Sequence, residues 1–141
     1  IERTGEELVA PPSFMLVMSY NPGYQNLLKG LKPSTRQRFL AIDLGYPLPA
    51  IEQAIVQAES GLQADQAAQL VRLAQAFRGL TEHDLEETAS TRLLVAAARL
   101  VRSGLPMQLA CRVAIVNALT DDPGTADALA DVVRALVGDT T

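Results

Sequence analysis

The stretch Phe14-Met15-Leu16-Val17-Met18-Ser19-Tyr20-Asn21-Pro22-Gly23 decides how the first third of the chain reads. Phe14 to Ser19 is almost continuously apolar, which suits a strand buried on both faces, as in a parallel sheet covered by helices. That strand delivers one amide side chain, Asn21, into a Pro-Gly turn. Outward from it, Tyr24 to Leu31 predicts a short helix loosened by Gly30. Pro33-Ser34 predicts another helix start, with Pro in the first turn and Ser as the cap. Phe39 to Leu44 repeats the short apolar strand signal, and Gly45-Tyr46-Pro47-Leu48-Pro49 reads as a linker. Upstream, Ile1 to Val9 has weak extended character around Gly5, closed by Pro11-Pro12. Strand, helix, strand is the fabric of an α/β sheet.

Beyond Pro49 the pattern changes to helix throughout. Ala50 to Glu59, Ala64 to Arg78, Thr91 to Ser103, Met107 to Leu119 and Thr125 to Val137 are the predicted helices. Breakers separate them at Ser60-Gly61, Gly79, Gly104-Leu105-Pro106 and Asp122-Pro123-Gly124. In the third helix Leu93, Leu94, Ala97, Leu100 and Val101 form one apolar stripe at helical period. The fourth is apolar nearly all round through Leu109, Val113, Ile115, Val116 and Leu119, and is expected at the centre of a bundle. This all-α unit of about ninety residues is long enough for its own core.

Charge is segregated along the chain. Between Leu8 and Ile42 there is no acidic residue, while Lys29, Lys32, Arg36 and Arg38 contribute +4; the remainder carries 8 basic against 16 acidic residues. A local anion site, most plausibly for phosphate, fits that segregation on an otherwise acidic protein. A pI near 4.9 argues against general nucleic-acid binding. No apolar run approaches the roughly 18 residues of a membrane span. The single cysteine, Cys111, excludes an internal disulfide and fits a reducing cytosol, so a cytoplasmic location is expected. With no initiator Met and no signal-type start, the chain reads as a fragment of a longer protein.

Each candidate chemical residue has two readings. Asn21, at the end of a buried strand, stands where open α/β sheets place ligand-facing groups, yet Asn before Pro-Gly also serves as a turn cap. Arg36 and Arg38 offer planar forks of donors suited to phosphate oxygens, or else a solvated basic face. Lys29 and Lys32 read as solvated. Arg92 lies in the first turn of its helix, where the dipole disfavours a cation. Either a polyanion docks there, joined by backbone N–H groups, or Arg92 pairs with Glu82, Glu86 or Glu87. His83, among Glu82, Asp84, Glu86 and Glu87, reads as part of a charged loop and not as a metal ligand. Cys111 reads as a packed core residue. No Gly-x-x-x-x-Gly-Lys-Ser/Thr phosphate loop is present in the chain.

Four ordered motifs carry a resemblance. They are Met18-Ser19-Tyr20-Asn21-Pro22-Gly23-Tyr24-Gln25, Leu31-Lys32-Pro33-Ser34-Thr35-Arg36-Gln37-Arg38-Phe39, Ala89-Ser90-Thr91-Arg92-Leu93-Leu94 and Leu119-Thr120-Asp121-Asp122-Pro123. Together they resemble the C-terminal half of an AAA+ ATPase of the MoxR class, in its CbbQ/NorQ branch, from about Ile1 to Leu136. The resemblance implies the end of a parallel-sheet core (residues 1–46) followed by a helical lid (49–141). It implies ATP and Mg²⁺ as ligands of the complete protein. Asn21 would then be sensor 1, polarising the attacking water. Arg38 would be the arginine finger entering the next subunit's site, with Arg36 as a second candidate, and Arg92 would be sensor 2, touching the γ-phosphate. These roles fit phosphoryl transfer, where positioning and charge neutralisation supply most of the acceleration.

The same resemblance implies a ring, a homohexamer, working with a von Willebrand A-domain partner on a metalloenzyme client such as rubisco or nitric oxide reductase. The phosphate-binding loop and Mg²⁺-binding carboxylates of that family are absent from these residues, so the chain alone is expected to be inactive. Two competing readings are a non-catalytic helical interaction module and a helix-turn-helix for DNA. Seven basic against twelve acidic residues after Pro49 disfavour the last.

Overall fold

The structure, a computed structural model, describes residues 4, 5, 7, 9–19, 32–84 and 88–137, with Arg36 and residues 81–84 described through their backbone alone. The chain divides into two units, Ile1–Asp43 and Leu44–Thr141.

In the first unit the only regular element among the described residues is α1 (Pro33–Arg36), begun by Pro33 in the first turn. Ser34 lies inside it and makes no cap; the flanking Lys32 makes no side-chain cap either. A turn precedes the apolar run, with the Phe14 N–H donating to the Pro11 carbonyl at 2.9 Å. The two expected strands are not formed. Phe14 to Ser19 and Phe39 to Leu44 form no strand pairing among the described residues, and apart from the half-buried Phe39 their apolar side chains are exposed, Phe14 at 65% and Leu40 at 96%. A strand's alternating N–H and C=O groups need neighbouring strands, and neither segment has one beside it among the described residues. The sheet is therefore not shown. The helix expected over Tyr24 to Leu31 lies outside the described residues.

The second unit is helical. Its elements are α2 (Pro49–Ser60), α3 (Ala64–Asp84), α4 (Thr91–Arg102), α5 (Met107–Cys111), a π-helical turn (Arg112–Val116), α6 (Asn117–Leu119) and α7 (Pro123–Val137). Pro49 opens α2, and Gly61 closes it in the left-handed conformation at φ 71°, its N–H bonded to the Gln57 carbonyl at 2.8 Å. Asp122 starts α7: its carboxylate accepts from the Thr125 N–H at 2.7 Å and the Thr125 hydroxyl at 2.8 Å. Those bonds hold the Asp122 carboxyl below its usual range.

α3 packs against α2, α4 and α7, and α4 also meets α2, α5 and the π turn. The core lies between them, built on Phe77, Leu70, Leu73, Leu94, Ile115 and Val116, with Cys111 buried beside them. Burial pushes the Cys111 thiol up to about 12, so it is a packing residue and not a reactive one.

Two sequence expectations change here. Gly79 does not end a helix: α3 continues through it to Asp84. Burial of Leu70, Leu73, Ala74 and Phe77 on the inward face of α3 outweighs the roughly 1 kcal/mol cost of one interior glycine. The segment Met107 to Leu119 is neither one uniform helix nor apolar-buried all round, because Leu109 and Val113 are half exposed. An unbroken α-helix that buries Met107, Ala110 and Cys111 would next turn residues 114, 115 and 118 inward. The π turn adds a residue and shifts that face by one, so Ile115, Val116 and Leu119 are buried while Ala118 is exposed. Val116 and Leu119 enter the core while Ala114 stays partly buried against it and Ala118 turns out, a gain in buried apolar area that favours the wider turn.

Candidate functional site

The first turn of α4 places a basic side chain in solvent at a helix start. Ser90 flanks it with extended backbone and no side-chain cap, and its carbonyl accepts from the N–H groups of Leu93 and Leu94 at 3.0 and 3.3 Å. Arg92 follows, exposed. Among the described residues it forms no ion pair within 4 Å. The side chains of Glu82, Glu86 and Glu87, its expected alternative partners, lie outside what is described. A cation at the positive end of a helix, turned to solvent, does not add to the stability of its own helix.

What holds this helix start is a buried polar cluster. Glu52, on α2, is fully buried. Arg78, on α3, grips it bidentately: Nη1 donates to Oε2 at 2.9 Å and Nη2 to Oε1 at 2.7 Å. The Thr91 hydroxyl donates to Oε1 at 2.6 Å. The Nε of Arg78 donates to the Ala89 carbonyl at 2.8 Å. The Tyr46 ring stacks on the guanidinium at 3.6 Å, and its hydroxyl is hydrogen-bonded to that of Thr88. Burial works to raise the Glu52 carboxyl; the hydrogen bonds from Arg78 and Thr91 and the Arg78 charge outweigh it and hold the group below its ordinary value. No buried side-chain polar atom is left unpaired among the described residues.

Sequence reasoning passed over this cluster. Its trace is an inversion in α2, where Ile51 is 53% exposed while the neighbouring Glu52 is 0% exposed. Glu52 stands four residues before the buried Val56, on the inward stripe. A carboxylate on such a stripe requires a buried cation, and Arg78 is on the neighbouring helix.

The other candidates are placed as follows. Arg38 is exposed in the turn after α1, its N–H bonded to the Thr35 carbonyl at 3.1 Å. Arg36 is the last residue of α1. Asn21 lies outside the described residues. Arg38 belongs to the first unit and Arg92 to the second. His83 is in the last turn of α3, and no group of three or more His, Cys, Asp or Glu stands together among the described residues. Within those residues no helix is long and apolar enough to cross a membrane. A groove of about 300 Å³ between α5 and α7 is lined by Leu109, Ala130 and Val133, with Arg112 and Arg134 at its edge beside Asp127 and Asp131.

Comparison with known proteins adds the following. Residues 52–136 match the family described as CbbQ/NirQ/NorQ C-terminal. The chain is 61% identical over 133 residues to the denitrification regulatory protein NirQ of Pseudomonas aeruginosa, covering 94% of this chain and 51% of that protein. It is 54% identical over 138 residues to protein NorQ of Paracoccus denitrificans, covering 98% and 51%. It is 45% identical over 136 residues to protein CbbQ of Hydrogenophilus thermoluteolus, covering 96% and 51%. The chain thus spans about half the length of the curated relatives it matches.

Proposed function

This chain belongs to the CbbQ/NirQ/NorQ C-terminal family, and from that membership we propose that it is the C-terminal portion of a MoxR-class AAA+ ATPase that activates or matures a metalloenzyme. Its second unit acts as the helical lid, and its first as the end of the ATPase core. The apolar runs Phe14 to Ser19 and Phe39 to Leu44 become strands when the rest of the parallel sheet lies beside them, which accounts for their exposed side chains. The two units divide between Asp43 and Leu44, at the start of the linker that runs to Pro49.

In the complete protein ATP and Mg²⁺ are held by a phosphate loop and carboxylates that these 141 residues do not contain. Asn21 orients the attacking water. Arg38, with Arg36 as the second candidate, crosses to the neighbouring subunit's nucleotide. Arg92 closes on the γ-phosphate from the lid. The observation that carries this reading is Arg92, exposed in the first turn of α4 with its helix start anchored from beneath by Glu52 and Arg78. An arginine finger acts across a subunit boundary, so the protein works as a ring, a homohexamer in the cytoplasm. A von Willebrand A-domain protein is its partner. The order of similarity among relatives, with NirQ and NorQ above CbbQ, favours an enzyme of denitrification such as nitric oxide reductase over rubisco as the client.

The test is hydrolysis by the full-length protein and its Asn21→Ala variant. We expect ATP turnover by the wild type, and a variant that binds nucleotide nearly as well but turns over slowly, because the amide directs a water and does not grip the ligand. Absence of any nucleotide-dependent activity, or loss of affinity with normal turnover of the bound fraction, overturns the assignment.

A further inference from the structure

Three consecutive points on the approach to α4 are held by side chains from three other parts of the unit. Tyr46, in the linker, bonds Thr88; Arg78, on α3, bonds the Ala89 carbonyl; Glu52, on α2, receives the Thr91 hydroxyl. Ser90, which would ordinarily cap the helix, makes no side-chain cap. The cluster does that work from outside the helix. Arg78 is fixed in its plane by three bonds, donated from Nε, Nη1 and Nη2, and across one face by the Tyr46 ring. A planar guanidinium held on edge and face has little rotational freedom, so displacement of one neighbour is passed to the others.

Tyr46 is the one partly exposed residue of this chain of contacts whose backbone lies in the linker, next to Gly45, whose missing side chain would meet nothing within 4 Å. Tyr46 is therefore connected, through Arg78 and Glu52, to the residue preceding Arg92.

We infer that Tyr46, Arg78, Glu52 and Thr91 are positioning residues: they set where the first turn of α4 presents Arg92. The inference rests on the reading of Arg92 as the γ-phosphate contact. It assigns none of the four a contact with nucleotide.

The experiment is a double-mutant cycle in the full-length protein, measuring KM for ATP, kcat and melting temperature for Thr91→Val, Thr91→Ser and Tyr46→Phe, each alone and combined with Arg92→Ala. Thr91→Val removes the hydroxyl at constant shape and should raise KM about tenfold with kcat little changed, the scale of one charge-assisted hydrogen bond. Thr91→Ser should retain near-normal KM. Tyr46→Phe, which loses only the bond to Thr88, should raise KM less than Thr91→Val. In the Arg92→Ala background neither Thr91→Val nor Tyr46→Phe should raise KM further, because the residue they position is gone. A folded Thr91→Val protein with normal KM, beside an Arg92→Ala protein with raised KM, overturns the positioning role alone. Full multiplicative effects in the Arg92→Ala background do the same. Normal KM in Arg92→Ala itself overturns the reading of Arg92, and the positioning role with it.

Discussion

Glu52 and Arg92 use charge in opposite ways. Glu52 is buried and fully satisfied by Arg78 and Thr91, so its charge is tied to the fold. Arg92 is exposed at the wrong end of its own helix dipole. Arg92→Ala should therefore leave the melting temperature of this chain unchanged or raise stability by about 0.3 to 1 kcal/mol. A sharp drop would make Arg92 a structural ion-pair residue. Glu52 gives a pH dependence whose sign follows from its lowered value. A carboxyl depressed in the folded state stabilises fully above its unfolded value of 4.5, and that stabilisation is lost as pH falls through the folded value below it. Chemical denaturation of the wild type and Glu52→Gln should differ most near neutrality, and the difference should shrink in acid below 4.5. A difference that is independent of pH would show that Glu52 is not held as a carboxylate. Arg92 could be read from the sequence because its type clashes with its position. Glu52 could not, because the partner that makes its burial tolerable comes from another helix.

The elements separate into those decided locally and those decided by packing. Pro49 at the start of α2, Gly61 at its end and Asp122 before α7 are local signals, and the helix boundaries they mark follow the sequence closely. Gly79 and the π turn were decided by packing. α3 runs through Gly79 because Phe77 and the residues before it are anchored in the core, and the backbone widens into the π turn after α5, which brings Val116 and Leu119 into the core and leaves Ala118 exposed. Two glycine substitutions separate these cases. Gly79 is exposed and helical, and a side chain there would meet nothing within 4 Å. Gly79→Ala should raise stability by about 0.5 to 1 kcal/mol in denaturant titration. Gly61 sits at φ 71°, with room for a methyl group 3.7 Å from Arg102 but with a backbone that L-residues avoid. Gly61→Ala should cost about 1 to 2 kcal/mol. Equal effects at the two positions would contradict the boundaries assigned to α2 and α3.

At the scale of the molecule, the helical unit was legible because its stripes and breakers are local and its core lies within about ninety residues. The sheet was legible only as a pattern. Phe14 to Ser19 and Phe39 to Leu44 have the composition of buried strands but no neighbours among the described residues to complete their hydrogen bonds. The proposed site has the same character: Asn21, Arg38 and Arg92 would each supply one part of what a nucleotide needs, and these 141 residues contain no phosphate loop beside them. Family membership and the exposed setting of Arg92 support that account, and Arg38 exposes it to the hardest test. The decisive measurement is steady-state ATP hydrolysis by the full-length protein carrying Arg38→Ala, with nucleotide binding followed in parallel. A finger supplied across a subunit boundary is worth about 10³ to 10⁵ in rate. Turnover should fall by that order while each subunit still binds ATP, since its own pocket receives the finger from its neighbour. Hydrolysis at the normal rate would contradict the account.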